Sequence, residues 1–141
     1  MTSEEIAARL PELTGGPHDD DTITALAQIA AEAIRALNHT TFPPAGPAEP
    51  ATVHRMLGEL ATAAHRLPQL LSQLARWLIE ENTAGHLAHD RDRLPGALHD
   101  ALASLDRDAA PHVAALAGAL DRAQQATAGL YWWPGDGGED Q

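Results

Sequence analysis

The fold of this 141-residue chain follows mainly from residues 53–78, VHRMLGELATAAHRLPQLLSQLARWL. Their apolar side chains recur at alternating intervals of four and three residues, at Val53, Leu57, Leu60, Ala64, Leu67, Leu71, Leu74 and Leu78. Such spacing places side chains on one face of an α-helix and is typical of a coiled-coil seam. The series keeps its phase through Pro68, although a proline inside a helix usually kinks it. The spacing therefore predicts one long, proline-interrupted helical arm over residues 51–89, within which Asn82 and Gly85 are candidate helix-end residues.

A second apolar series with the same intervals follows the polar, turn-forming residues 90–96, DRDRLPG. Its members are Leu98, Leu102, Leu105, Ala109, His112, Leu116, Ala119, Ala123, Ala126 and Leu130, with Val113 and Leu120 alongside, and Pro111 interrupts it. Two apolar arms that are joined by a short turn pack side by side in opposite directions. We therefore expect an antiparallel hairpin with its second arm over residues 95–131. His112 lies on this series and is expected to be a core or interface histidine.

The residues on either side of the hairpin predict two shorter helices, a linker and a tail. Capping residues precede an apolar helical pattern twice, which predicts helices over 3–13 and 21–38. Residues 40–50 are rich in proline and glycine and predict an extended linker. Residues 135–141, GDGGEDQ, predict a flexible acidic tail.

The composition agrees with this helical pattern. Alanine, leucine and arginine, which are strong helix formers, are abundant, and β-branched residues are scarce. The length corresponds to one domain. The expected fold is all-α, with a single helical domain over residues 1–134. It is built as an elongated antiparallel helical hairpin or bundle of four to six helices with proline-interrupted long arms.

The charge and the cysteine count restrict the setting and the partners. The net charge is −11, with six net negative charges in residues 1–50, two in 51–134 and three in the tail. Direct nucleic-acid binding needs a positive surface, so none is expected. The chain contains no cysteine, its acidic start lacks the features of a signal peptide, and no apolar run reaches membrane-spanning length. We expect a cytoplasmic protein without a membrane partner.

The candidate reactive side chains lack the arrangement that catalysis or metal binding requires. His86 and His89 lie three residues apart, and His99 approaches them across the predicted turn, but we interpret all three as solvent-exposed turn histidines rather than as a metal site. Ser104 shares a predicted helix with His99, without a strained nucleophile turn or oxyanion donors. We therefore predict that the chain is not an enzyme, has no catalytic or metal-binding residues and needs no cofactor.

Two surfaces are candidates for protein contacts. Helix 21–38 is shorter than either arm, so part of the seam stays open, and open apolar seams usually mark interfaces. The alternative is that the prolines fold the arms back into a compact bundle that buries the seam by itself. Aromatic residues at the end of the second arm lie close to Val53 and form either a cap on a small core or a set of interface anchors. The predicted interface residues are Leu67, Leu71, Leu74, Leu78, Tyr131, Trp132 and Trp133.

Three segments, LGELA (57–61), LPQLL (67–71) and ARWL (75–78), resemble small uncharacterised helical proteins of high-GC Gram-positive bacteria. Those proteins are often carried on plasmids or integrated elements. The resemblance covers residues 50–130 and implies no activity and no site residues.

The expected function is that of a non-enzymatic protein-protein interaction module. We predict that it associates with itself through the leucine heptad seam, as a homo-oligomer and specifically a dimer. The alternative is an acidic inhibitor or regulator of a nucleic-acid-handling protein of a mobile element or phage.

Overall fold

The computed structural model describes residues 10–13 and 19–135, and this part of the chain is helical and contains no strand. A 3₁₀ turn covers Leu10–Leu13. The α-helices are α1 (Asp20–Thr40), α2 (Pro50–Thr83), α3 (Leu94–Ala103) and α4 (Ala110–Thr127), and a π-helical turn, Ser104–Ala109, joins α3 to α4. The all-α prediction is confirmed. Most of the predicted helix over 3–13, and the tail beyond residue 135, lie outside the described residues.

The chain divides into two compact units, Met1–Gly46 and Pro47–Gln141. The first contains α1, which begins where the sequence predicts because the Asp19 carboxylate accepts a hydrogen bond of 2.8 Å from the Thr22 backbone N–H. Its last turn is closed by the Thr41 hydroxyl, which donates to the Leu37 carbonyl at 2.7 Å. That residues 1–134 act as one domain stays a prediction.

The second unit contains two helical arms that pack against each other. Helix α2 is its first arm, and α3, the π-turn and α4 form a continuous second arm; the main contact between the arms is that of α2 with α4. Helix α2 runs without a break through Pro68. Pro50 is its first residue, a position where the missing N–H of proline costs no hydrogen bond.

Both arms end earlier than predicted, and a glycine lies just beyond each end. The first arm ends at Thr83 rather than at residue 89, because Gly85 adopts φ +77° and the His86 N–H returns to the Glu81 carbonyl at 3.0 Å. This is a Schellman ending. The second arm ends at Thr127 rather than at residue 131, and Gly129 adopts φ +80° just beyond it.

The π-turn changes which side chains of α4 face the first arm. The Ala110 N–H donates to the carbonyl of Leu105, five residues back, so this turn holds one residue more than an α-helical turn. Pro111 follows directly, and its ring would clash with the carbonyl four residues back in a regular helix. One extra residue rotates everything after it by about 100°.

The predicted apolar series is therefore wrong at most positions after Ala109. His112, Leu116, Ala119 and Ala126 are exposed, whereas Ala123 is half-buried, and His112 is neither a core nor an interarm residue. The residues that face the first arm are each one position further along, at Val113, Ala117, Leu120, Gln124 and Thr127.

The contact between the arms is made by small side chains. The buried hydrophobic residues among those described are Ala61, Ala64 and Ala75 of α2 and Ala117 of α4, and no large side chain is fully buried. Alanine lets two helices approach closely, but each methyl group contributes only about 0.8 kcal/mol on burial. The hairpin therefore has a narrow core, with its larger apolar side chains at the margin or outside.

Candidate protein-protein interface

A row of large apolar side chains lies on the outside of α2. Leu67, Leu70, Leu74 and Trp77 are 39%, 48%, 48% and 56% exposed. Their intervals of three, four and three residues place them on one face of the helix. We call these four residues the apolar stripe. Exposed leucine and tryptophan side chains that are contiguous on one helix face are typical of a surface that another protein covers.

The stripe differs from the predicted seam in a specific way. Leu71 and Leu78 are half-buried on the side of α2 that carries the buried Ala75, whereas Leu67 and Leu74 are exposed. The four predicted leucines therefore occupy two neighbouring faces of the helix.

Leu70 and Trp77 belong to the exposed face but lie outside the predicted heptad seam. The signal in the sequence is the pair of adjacent apolar residues at 70–71 and again at 77–78. When such a pair recurs after seven residues, the apolar face of the helix becomes wider than a single packing seam requires.

The aromatic residues after α4 form a second exposed apolar feature. Tyr131, Trp132 and Trp133 lie in non-helical chain and are all exposed. The rings of Tyr131 and Trp133 meet edge to face, with centroids 6.3 Å apart and planes at 76°. Trp132 and Leu130 line an open cavity of about 390 Å³ at the free end of the hairpin. Its other lining residues are Pro47, Ala48, Glu49, Pro50, Val53 and Thr127.

This cavity agrees with the predicted proximity of the aromatic end to Val53. The three aromatic residues do not form a closed core, since each stays exposed. They are a second candidate contact surface, separated along α2 from the apolar stripe.

The opposite side of the hairpin is polar and links the arms. His54 Nδ1 lies 2.9 Å from the carbonyl of Gln124 and 3.1 Å from the hydroxyl of Thr127. The Thr127 hydroxyl also donates a hydrogen bond to the Gln124 carbonyl. Because a carbonyl oxygen can only accept, the His54 Nδ1 atom must carry the proton. His65 Nε2 lies 2.6 Å from a carboxylate oxygen of Asp121. These contacts fix the register between α2 and α4.

The same contacts border an open groove of about 430 Å³. Gly58 lies in it, where a Cβ atom would overlap the side-chain amide of Gln124. The side chains of His65 and Asp121 are both about half exposed to solvent. The groove therefore has the chemistry of an interarm hydrogen-bond network.

The histidines near the turn have separate partners. His86 Nδ1 lies 2.7 Å from the Glu81 carboxylate. His89 Nδ1 accepts a hydrogen bond of 3.0 Å from the backbone N–H of Arg91. His99 lines a small cavity of about 160 Å³ with Asp106 and Arg107. Within residues 10–13 and 19–135, no three His, Asp or Glu side chains are grouped as metal ligands.

In the same part of the chain, no helix has both the length and the apolar character that a membrane crossing requires. Comparisons of the chain with protein-family models, with curated proteins and with solved structures find no match.

Proposed function

We propose that this chain is a non-enzymatic helical interaction module that binds protein, and specifically a second copy of itself, through the apolar stripe of α2. The observation that carries the proposal is the contrast between the two faces of that helix. The face towards the second arm buries only alanines, while leucines and a tryptophan remain exposed on the stripe. Leucine is normally among the most buried residue types. If a partner covers the stripe, its leucine and tryptophan side chains become buried, as is usual for these residue types.

The same proposal gives the finer architecture. Two hairpins that meet along their stripes form an antiparallel bundle of four helices, and the heptad intervals of α2 suit coiled-coil packing. We propose a cytoplasmic setting, since a chain without cysteine fits a reducing compartment. The resemblance to small helical proteins of high-GC Gram-positive bacteria supports a bacterial origin.

The alternative, an acidic inhibitor or regulator of a nucleic-acid-handling protein, is supported by the net charge of −11. That charge is concentrated in residues 1–50 and in the tail. In the hairpin, acidic residues are interspersed with arginines, so the arms carry no extended surface of one sign. The apolar stripe therefore favours self-association over charge mimicry.

The test is to introduce charge into the stripe and measure the molar mass. We expect the wild-type chain to be a dimer by light scattering coupled to size-exclusion chromatography. The variant Leu70→Glu/Leu74→Glu places two carboxylates in the contact and should be monomeric. Both side chains are about half exposed, so the helical circular dichroism spectrum should persist.

Ile79→Glu is the matched control. Ile79 belongs to the same helix, is 47% exposed, and lies roughly opposite the stripe by helical geometry. This variant should remain a dimer. A monomeric wild-type chain, or a stripe variant that keeps the dimeric mass, contradicts the proposal.

A further inference from the structure

Three polar residues border the apolar stripe on its edge away from the second arm. Arg66, Gln73 and Glu80 follow one another at intervals of seven residues and are all exposed. Seven residues are nearly two helical turns, so the three side chains form a line along the helix. Arg66 and Glu80 are about 21 Å apart along the axis, with Gln73 midway between them. The edge is therefore basic at one end and acidic at the other.

Both charged ends of this edge lack an ion-pair partner among the described residues. The nearby Glu81, by contrast, pairs with His86. The other ion pairs of the hairpin involve Arg55 with Glu49, His65 with Asp121 and His89 with Asp90. Arg66 and Glu80 are thus available to an external partner.

A second copy of the chain in the opposite direction matches this edge. A two-fold axis between antiparallel helices keeps the same edge of both helices on the same side of the contact. If the axis passes near Gln73 and Leu74, Arg66 of each copy lies opposite Glu80 of the other. The same register places Leu70 opposite Trp77 and the two Leu74 side chains near the axis. The apolar and the charged positions therefore match in a single register.

A parallel arrangement has the opposite effect. Its two-fold axis runs along the helices and places the Arg66–Glu80 edges of the two copies on opposite sides of the contact, so Arg66 of one copy does not meet Glu80 of the other and neither ion pair forms. The edge therefore selects a direction as well as a partner.

We propose that the apolar stripe binds a second copy of this chain in antiparallel orientation, with the two-fold axis near Gln73 and Leu74 and an Arg66–Glu80 ion pair at each end. This inference rests on the proposed self-association and adds its register and direction. Each ion pair occurs twice in the dimer, so a single substitution changes two contacts.

The first experiment reverses the charges. Arg66→Glu and Glu80→Arg should each weaken the dimer by about tenfold or more, since each creates two like-charge contacts. The double variant Arg66→Glu/Glu80→Arg restores two opposite-charge pairs and should recover nearly the wild-type dissociation constant, measured by sedimentation equilibrium. Arg122→Glu is the control, because Arg122 is exposed on the side of α4 turned away from α2, and it should change the constant little.

The second experiment determines whether the two α2 helices of the dimer are antiparallel or parallel. Because the chain has no cysteine, Arg66→Cys and Glu80→Cys each introduce one unique thiol. With a short bis-maleimide reagent, a mixture of the two variants should give the cross-linked heterodimer, and each variant alone should give little product. A mixture that gives no more cross-linked product than the single variants indicates another orientation or register and overturns the proposal.

The two proposals fail in distinguishable ways. A monomeric wild-type chain overturns both proposals. This holds also if the chain is monomeric because another of its own segments covers the stripe. A wild-type dimer in which the double charge reversal gives no recovery overturns only the antiparallel register. Recovery together with heterodimer cross-linking supports both.

Discussion

Ala117 is the most deeply buried hydrophobic residue described, at 1% exposed. It lies on α4 where this helix faces α2, whose buried residues are also alanines. The arms can approach closely because none of these side chains extends beyond a methyl group. Each buried alanine therefore limits the distance between the helices, and a larger side chain has to push them apart.

Ala117→Leu should therefore destabilise the hairpin by about 1–3 kcal/mol through overpacking. The measurement is chemical denaturation followed by circular dichroism. Ala119→Leu is the matched control, because Ala119 is exposed on the same helix and the change should stay within about 0.5 kcal/mol. Equal effects of the two substitutions would show that Ala117 is not a close contact.

At the scale of single helices, the π-turn at Ser104–Ala109 sets the register of the second arm. Removing one residue from it converts the turn into a regular α-helix and rotates α4 by about 100° relative to α3. Either α3 or α4 then loses its packing against α2. The side chains of the predicted series, such as His112 and Leu116, would replace Ala117 in the contact.

Deletion of Asp106 tests this effect. We expect a loss of at least about 2 kcal/mol in the free energy of unfolding, since a packed face is replaced by an unmatched one. Asp106→Ala removes the same exposed carboxylate, keeps the chain length and should change stability by no more than about 0.5 kcal/mol. If the deletion variant is as stable as the substitution variant, the π-turn does not determine which face of α4 packs against α2.

The same element shows how far the sequence could predict the fold. The apolar intervals correctly predict the helical class and place α1 to within two residues of its observed range. Gly85, which ends the first arm, is visible in the sequence, but whether a glycine stops a helix depends on backbone hydrogen bonds such as that from the His86 N–H to the Glu81 carbonyl. A π-turn has no strong residue preference, and Pro111 alone is compatible with either geometry. The register error after Ala109 follows from that ambiguity.

The candidate site was predicted in part for a related reason. A heptad pattern identifies an apolar side of a helix but not which half of it packs within the chain. The second arm approaches the side with alanines, which moves Leu67 and Leu74 outwards and adds Leu70 and Trp77 to the exposed face. Packing between two helices depends on the size of the side chain at each position along the contact. The spacing of apolar residues does not specify those sizes.

At the scale of the whole molecule, stability should depend on protein concentration. Burial of the four alanines contributes on the order of 3 kcal/mol, which is small beside the conformational entropy of two long arms. If association covers the stripe, unfolding is coupled to dissociation, and mass action raises the melting temperature with concentration.

Thermal unfolding at increasing chain concentrations checks this expectation. The wild-type melting temperature should rise, while that of Leu70→Glu/Leu74→Glu should be lower and independent of concentration. A wild-type melting temperature that does not change across the series would indicate that the hairpin is stable without a partner.

The alanine contact between the arms has one more consequence, for the kind of molecule that could act as an antagonist. Helices packed through alanines lie towards the close end of the usual interaxial range of about 8–10 Å. That spacing leaves little room between the arms for a drug-like compound to intercalate. The accessible target is the long exterior of α2, which spans many residues with no deep concavity. A stapled peptide that reproduces residues 66–80 is therefore a better starting point for a competitor than a small-molecule library.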